Sequence, residues 1–258
     1  MKTQIKAKKH FGQNFLSDQN IIKKIINIFN LHNQNIVEIG PGMGALTKEL
    51  IKVATSVHCF EVDKDMIAIL NKIFDNQQNL HIYHQDFLKA DLTNLKQSYL
   101  IANIPYYITT DILFKIFENK NKFSKMLLMV QKEVAQRIVA AKNSQDYSKL
   151  SISCQYLADV KIEFIVKANS FIPAPKVDSA IVSFVFKKNI SLENWFEIKD
   201  FFKLVFGYRR KKLIFSLLKK YHINKINNVF KQLSLSENIR IQQLDVETIV
   251  QMFWLLNN

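Results

Sequence analysis

Short apolar runs alternate with amphipathic stretches along the first half of the chain. The runs are typical of buried strands and lie at residues 35–40, 56–63, 80–86, 98–103 and 125–131. Between them, apolar residues recur every three or four positions, which predicts helices over residues 45–54, 64–74, 110–118 and 132–141. Strands that alternate with helices predict an α/β fold with a doubly wound, mainly parallel sheet covered on both faces.

The pattern changes in the second half. Two extended runs at 160–167 and 179–186 predict an antiparallel hairpin at the edge of the sheet. From about Lys188 onward the apolar spacing is helical, which predicts helices over residues 195–206, 209–220, 225–233 and 245–256. We therefore predict a main domain over residues 1–187, with a basic N-terminal arm at 1–16, and a small all-α domain over residues 188–258.

The charge of the chain indicates its class of partner. Lys and Arg number 36 against 22 Asp and Glu, so the formal charge is +14. This excess predicts a polyanionic partner such as nucleic acid, with a membrane surface as the alternative.

Composition argues against several classes of protein. Cys59 and Cys154 are far apart and the six His lack ligand spacing, so neither a disulfide framework nor a metal site is expected. The N-terminus lacks the apolar segment of a signal peptide, and no apolar run reaches the roughly 20 residues of a membrane span. We expect a soluble, cytoplasmic protein.

The stretch VEIGPGMGALT at residues 37–47 is a strand, a glycine turn and a helix start. Gly40-x-Gly42-x-x-Ala45 satisfies the loose form of a dinucleotide fingerprint. However, Pro41 removes an N–H group, and the carboxylate of Glu38 would repel a pyrophosphate. A cationic sulfonium with its amino group would instead be favoured there, which indicates S-adenosylmethionine over a dinucleotide.

Two acidic residues stand at the ends of neighbouring predicted strands. Glu61 ends the second strand, where a carboxylate can accept hydrogen bonds from ribose hydroxyls. Asp86 ends the third, where it can accept from an adenine amino group. The alternative is that each acid caps a helix or lies in a solvated turn.

The fourth predicted strand ends in Asn103-Ile-Pro-Tyr-Tyr. An adenine amine has two N–H groups. One can donate a hydrogen bond to the amide oxygen of Asn103 and the other to a carbonyl held rigidly by Pro105, while Tyr106 stacks on the base. Such a base must be unpaired or flipped out. The alternative is a turn after a strand, with the tyrosine covering the core.

The motifs together resemble one family, the ribosomal small-subunit RNA adenine dimethyltransferases, which confer kasugamycin sensitivity. The resemblance is carried by FGQNFL (11–16), VEIGPGMGALT (37–47), NIPYYI (103–108), QKEVAQRI (131–138), FIPAPKVDSAIV (171–182) and FGYRRKKL (206–213). It implies a Rossmann-like class I methyltransferase that uses S-adenosylmethionine and no metal. Its expected substrate is two adjacent adenosines in a hairpin loop near the 3′ end of 16S rRNA, within the small (30S) subunit, each dimethylated on N6.

The resemblance also implies roles for individual residues. Target-base residues are Asn103, Pro105 and Tyr106, with Phe171 closing the pocket from the opposite side. Cofactor contacts fall on Asn14, Leu16, Gly40, Glu61, Asp86 and Asn103.

Two further expectations concern the arm and the basic run. The arm is expected to touch RNA phosphates and to close over the cofactor. RNA is expected to bind Arg209, Arg210, Lys211 and Lys212 at the start of a helix, although such a run is often a solvated face. The chain departs from the family at Tyr107, where asparagine is usual, which puts any role of that asparagine in doubt. We expect a monomer.

Three alternatives remain open at this point. The first is an erythromycin-resistance type methyltransferase acting on 23S rRNA, although those proteins commonly lack the Gly-Pro-Gly turn and the Arg-Arg-Lys segment. The second is a non-catalytic ribosome assembly factor on the same scaffold, against which the retention of Glu61, Asp86 and Asn103 argues. The third is a dinucleotide oxidoreductase. It is disfavoured because the sequence has no recognisable motif that supplies a proton donor.

Overall fold

The structure is a computed structural model that describes residue 8 and residues 11–257, except for the side chain of Tyr106. Its strands are β1 (Phe15–Leu16), β2 (Asn35–Ile39), β3 (Ser56–Glu61), β4 (Leu80–His84), β5 (Ser98–Asn103), β6 (Phe123–Gln131), β7 (Ala158–Val166), β8 (Phe171–Ile172) and β9 (Ser179–Phe186). The short strands β1 and β8 pair with each other. The remaining strands form one sheet in the order β4-β3-β2-β5-β6-β9-β7.

The strand order places a topological switch point between β2 and β5. β2 pairs in parallel with both β3 and β5, and β3–β4 and β5–β6 are parallel as well. β9 pairs antiparallel with β6, as the change of pattern in the second half predicted. The chain runs from β2 to one edge and then resumes at β5 on the other side. In such sheets ligands bind outside the carboxyl ends of the strands at this point.

The helices are α1 (Gln19–Ile26), α2 (Thr47–Leu50), α3 (Lys64–Ile73), α4 (Thr109–Glu118), α5 (Lys132–Val139), α6 (Lys149–Leu157), α7 (Trp195–Phe206), α8 (Leu213–Leu217), α9 (Ile223–Gln232) and α10 (Val246–Asn257). None of the helices in the described ranges is long and apolar enough to cross a bilayer. α1 begins after its N-cap Asp18, whose Oδ1 accepts from the backbone N–H of Asn20 at 2.9 Å.

Two predicted helices are shorter than the sequence pattern indicated. α2 covers four residues of the predicted 45–54. The predicted helix over 209–220 is wrong at its start, because residues 207–210 form a turn and α8 begins at Leu213. Four consecutive cations repel one another and offer no apolar face, so packing does not stabilise a helix there.

The chain divides into two compact units, which differ from the predicted domains. The first consists of the described residues up to Ala135 together with Lys161–Phe186. The second consists of Gln136–Val160 and the described residues from Lys187 onward. Residues 136–160 belong to the second unit because α6 packs on α7, where the rings of Tyr156 and Trp195 stack at 6.2 Å.

The core of the first unit lies against the sheet. β2, β5 and β6 are buried along most of their length, since helices cover both faces of parallel strands. One buried cluster joins strands to the flanking helices and comprises Leu16, Ile22, Ile25, Leu31, Ile36, Leu46, Leu50, Ala54, Val57, Cys59, Ile101, Leu127, Met129, Val166, Phe171 and Ile181.

We predict a large difference in stability between two substitutions on α3. Leu70 is fully buried whereas Ile73, one turn later, is 55% exposed. Leu70→Ala should lower the free energy of unfolding by about 2–5 kcal/mol, because it leaves a cavity. Ile73→Ala, the matched control, should change it by no more than about 0.5 kcal/mol. Urea titrations followed by circular dichroism measure both; equal losses would contradict the burial of Leu70 in the core.

Candidate active site

A cleft of about 390 Å³ opens at the carboxyl ends of the parallel strands, beside the switch point between β2 and β5. The predicted cofactor residues all contribute to its lining: Asn14, Leu16, Gly40, Glu61, Asp86 and Asn103. Pro105 lines it as well. The apolar part of the wall was not predicted from the sequence. It lies within or beside the motifs and consists of Met43, Phe60, Val62, Phe87, Leu88, Ile108 and Ile112.

The glycine turn after β2 forms the floor of the cleft. Gly40 and Gly42 have φ values of +65° and +55°, a left-handed backbone that residues with a side chain rarely adopt. The N–H of Gly40 donates to the carbonyl of Phe60 at 2.9 Å, which holds the turn against β3. A Cβ at Gly42 would lie 3.0 Å from Phe15 Cε1, so the arm packs directly on the turn.

Glu61 is buried at the end of β3 and accepts three backbone hydrogen bonds. Oε1 accepts from the N–H groups of Val62 and Asp63, at 2.8 and 2.9 Å, and Oε2 accepts from that of Gly42 at 3.2 Å. Burial raises the pKa of Glu61 above its ordinary value, although these three hydrogen bonds oppose the shift. A carboxylate oxygen accepts two hydrogen bonds, so Oε2 can take one from a ligand hydroxyl.

Glu38 is a second buried carboxyl group, and it lines the same cleft. Its Oε2 accepts from Thr47 Oγ1 at 2.6 Å and from Cys59 Sγ at 3.5 Å. Burial raises the pKa of Glu38 to about 7, against the hydrogen bonds from Thr47 and Cys59 that lower it. A cation in the cleft would favour the charged carboxylate.

Asp86 both lines the cleft and caps a short 3₁₀ turn. It is half-buried, and its Oδ1 accepts from the N–H of Leu88 at 3.0 Å at the start of the turn 87–89. The capping interpretation and the ligand interpretation are therefore compatible, since Oδ2 is not used by the cap.

Asn103 ends β5 and points its amide into the cleft beside the arm. Its Nδ2 donates to the backbone carbonyl of Asn14 at 3.1 Å, which fixes the orientation of the amide. With Nδ2 held by the arm, Oδ1 is left to accept from a ligand. A Cβ on Gly40 would lie 3.8 Å from the carbonyl of Asn103, so the end of β5 stands next to the glycine turn.

Pro105 and the tyrosines follow at once. Pro105 precedes the 3₁₀ turn Tyr106–Ile108 with a φ of −58°. The predicted stacking ring, that of Tyr106, lies outside the described side chains. Tyr107, the departure from the usual asparagine, is 66% exposed at the cleft. A Cβ on Gly12 would contact its ring at 3.4 Å, so Tyr107 packs along the arm.

Phe171 does not occupy its predicted position. It is 2% exposed, belongs to the core cluster and is not part of the cleft wall. Residues of a strand alternate between faces, so the neighbouring Ile172 is the one that faces outward, 66% exposed. Phe171 instead pairs with Leu16 in the β1–β8 ladder. Its role in this structure is to anchor the arm.

The four basic residues at 209–212 have different surroundings. Arg209 is half-buried and donates to Gln242 Oε1 at 3.1 Å and to the carbonyl of Ser144 at 2.9 Å. Arg210, Lys211 and Lys212 are exposed. Arg209 therefore holds the second unit together, whereas the other three are accessible to a polyanion.

A family model described as ribosomal RNA adenine dimethylase matches residues 4–258. The chain belongs to this family. A Mycoplasmopsis synoviae relative called ribosomal RNA small subunit methyltransferase A is 56% identical over 254 residues, 97% of each chain. The Mycoplasma mobile protein of the same name is 44% identical over 250 residues, 97% of this chain and 98% of the other.

Two solved structures extend the likeness to the fold. A dimethyladenosine transferase from Plasmodium falciparum has a TM-score of 0.85 at 27% identity, covering 94% of this chain and 97% of that one. The 23S rRNA methyltransferase ErmE has a TM-score of 0.74 at 25% identity, covering 95% and 100%. They confirm the predicted Rossmann-like methyltransferase fold for this adenine dimethylase family member.

The raised pKa of Glu38 predicts a pH-dependent stability. Burial raises the pKa of this carboxyl to about 7 in the folded protein, from its ordinary value of 4.5 in the unfolded chain. Between these two pH values the folded protein binds a proton that the unfolded chain has lost. The free energy of unfolding therefore falls by roughly 3 kcal/mol as the pH rises from the lower value to the higher. Glu38→Gln should remove this loss.

Urea unfolding at intervals between about pH 4 and 8 measures the effect, because this range spans the two pKa values. The exposed Glu133→Gln is the matched control and should keep the slope of the unsubstituted protein. The interpretation fails if Glu38→Gln and the control have the same pH profile.

Proposed function

We propose that this chain dimethylates N6 of two adjacent adenosines, in a hairpin loop near the 3′ end of 16S rRNA within the small ribosomal subunit. The observation that carries the proposal is the placement of Asn103, whose amide stands at the switch point beside the glycine turn. Family membership and the names of the relatives support the same substrate. We further propose that the protein acts in the cytoplasm as a monomer and contributes to ribosome biogenesis.

The residues of the cleft fit S-adenosylmethionine, which when bound supplies a methyl group on a positively charged sulfur. Glu61 has an acceptor position for a ribose hydroxyl, and Asp86 has one for an adenine amine. The carboxyl of Glu38 suits the cationic methionine end. Gly40 lets the backbone approach the ligand closely. Among the described residues no group of three His, Cys, Asp or Glu is placed to hold a metal ion.

The residues of the Asn103 segment prepare the adenine nitrogen for reaction. Asn103 Oδ1 and the backbone carbonyl that precedes Pro105 accept hydrogen bonds from the two N–H groups of the exocyclic amine. These hydrogen bonds strengthen as positive charge develops on the nitrogen, so they stabilise the transition state more than the bound base. We also propose that Tyr106 stacks on the base, as a ring at that position can.

The erythromycin-resistance alternative is less well supported. The chain keeps the Gly-Pro-Gly turn at 40–42 and the basic run after α7. The small-subunit name belongs to relatives up to 56% identical, whereas the 23S enzyme is 25% identical.

We predict that Asn103→Ala severely impairs methyl transfer. The substitution removes the amide acceptor, and the loss of one such preorganised group costs about 10²–10³ in kcat. Cofactor affinity, measured by calorimetry, should change little because Glu61 and Asp86 remain. Tritium transfer from labelled cofactor to unmethylated 30S particles measures the rate, with 50S particles as the substrate control.

A matched variant separates this effect from general damage. Asn94→Ala changes an exposed asparagine of the same unit and should leave turnover unaltered. Full activity of Asn103→Ala would contradict the proposed role of Asn103 as a hydrogen-bond acceptor. Methylation of 50S but not 30S particles by the unsubstituted protein would favour the 23S alternative, and methylation of neither would favour the assembly factor.

We propose that the helical unit binds rRNA through its exposed basic turn. Arg210, Lys211 and Lys212 protrude next to one another and are accessible to phosphates, whereas Arg209 is engaged within the unit. Phosphate contacts of this kind position the protein without reading sequence.

We predict that Arg210→Ala with Lys212→Ala weakens binding to 30S particles and flattens its salt dependence. Each lost phosphate contact reduces the slope of log K against log salt by about 0.7–0.9. Filter binding between low and physiological salt measures the slope. The control, Lys225→Ala with Lys231→Ala on α9, removes the same charge from exposed positions elsewhere. Equal slopes of log K against log salt for the two double variants would contradict the proposed RNA contact.

A further inference from the structure

A buried carboxylate outside the predicted set of site residues holds the N-terminal arm. Asp63 is 1% exposed and lies two residues beyond Glu61. Its Oδ2 accepts from Gln13 Nε2 at 2.7 Å, and its Oδ1 accepts from Lys8 Nζ at 2.5 Å and from the N–H of Asp65 at 3.0 Å. The arm is thus bonded to the start of α3 by a charge that water does not reach.

The orientation of Gln13 is fixed from the other side. Its Oε1 accepts from the backbone N–H of Lys8 at 2.8 Å, so its Nε2 must face Asp63. Lys8 also pairs with Asp65 Oδ2 at 2.7 Å. The donors and acceptors of Gln13 and Asp63 therefore match in one arrangement.

The segment that follows Gln13 forms one wall of the cleft. The carbonyl of Asn14 accepts from Asn103 Nδ2, and the ring of Phe15 covers Gly42. Beyond them, Leu16 pairs with Phe171 in the β1–β8 ladder. Residues 11–16 are therefore fastened at both ends, by the ladder on one side and by Asp63 on the other.

We infer that Asp63 is a positioning residue for methyl transfer, because it fastens residues 11–16 across the cleft and so lets the Asn14 carbonyl aim the Asn103 amide. This inference rests on the proposed function. When the arm is fastened, Nδ2 is occupied and Oδ1 faces the base. When it is released, the amide rotates freely, and the acceptor geometry and one wall of the cleft are lost together.

Capping of α3 is the alternative role of Asp63, and the substitution Asp63→Asn separates the two. This variant keeps a side-chain oxygen for the N–H of Asp65, and Asn and Asp are equivalent caps. Its new amide group cannot also satisfy Gln13. Two donors, Lys8 Nζ and the N–H of Asp65, face the Oδ1 position, so the amide oxygen stays there and keeps the cap. The new Nδ2 then faces Gln13 Nε2, donor to donor, and the Gln13 contact is lost.

A polarity exchange tests the inference. In Asp63→Asn the amide N–H groups at positions 63 and 13 face each other, so neither has an acceptor. In Gln13→Glu two carboxylates face each other and repel. The double variant, Asp63→Asn with Gln13→Glu, reverses the direction of the hydrogen bond. The amide at position 63 then donates to the carboxylate at position 13, which still accepts from the backbone N–H of Lys8. The net charge of the double variant equals that of the unsubstituted protein.

Two measurements are made on all four proteins. Each single variant should lower kcat for 30S methylation by about ten- to a hundredfold, as misplacement of a reacting group does. Each should also lose hydrogen-exchange protection at the backbone amides of Gly12–Leu16. The double variant should recover kcat to within about threefold and regain the protection. Urea midpoints should stay close for Asp63→Asn, since the cap is kept.

The outcomes are distinguishable from failure of the proposed function. Protection of residues 12–16 requires no substrate, so it tests the arm contact even if 30S particles are not methylated. Unchanged protection in Asp63→Asn, or a double variant as impaired as the worse single variant, would overturn the inference. Gln13→Glu leaves Asp63 and the sheet intact, so it reports on the arm even if Asp63→Asn folds poorly.

Discussion

The buried carboxylate of Glu61 connects the parts of the site that come from distant places in the sequence. Its oxygens accept from Gly42 in the turn after β2 and from Val62 and Asp63 at the start of α3. Burying a carboxylate is costly unless it accepts hydrogen bonds, so the loss of any of these three contacts would be unfavourable. The glycine turn and the residue that fastens the arm are thus placed by one side chain.

Two polar groups of the cleft are each held by a fixed partner. Asn103 is oriented by the backbone of the arm, and Glu38 by Thr47 at the start of α2. Fixed partners of this kind reduce the reorganisation that a reaction requires, which is how preorganised sites lower barriers. Burial raises the pKa of Glu38 to near neutrality, and the hydrogen bond from Thr47 opposes this shift.

The basic residues of the chain serve two physical ends. An excess of 36 cations over 22 anions suits a polyanionic partner. Arg209, however, directs two of its hydrogen bonds to Gln242 and Ser144, whereas Arg210 extends into solvent. A run of like charges in the sequence is therefore not a single functional patch, since burial of one member changes what it can contact.

The periodicity of apolar residues determined the fold class, the positions of the sheet strands and the helical C-terminal part, because burial of one face imposes its period on the chain. The Gly, Glu, Asp and Asn residues at strand ends likewise predicted the cleft, because parallel strands bring their carboxyl ends to one edge. The predicted position of Phe171 in the pocket was wrong, since residue type does not say which face of a two-residue strand points inward. The tertiary structure alone decided that residues 136–160 pack in the second unit and that Asp63 bonds to Gln13. These contacts join residues far apart in the chain, and no local spacing encodes which surfaces meet.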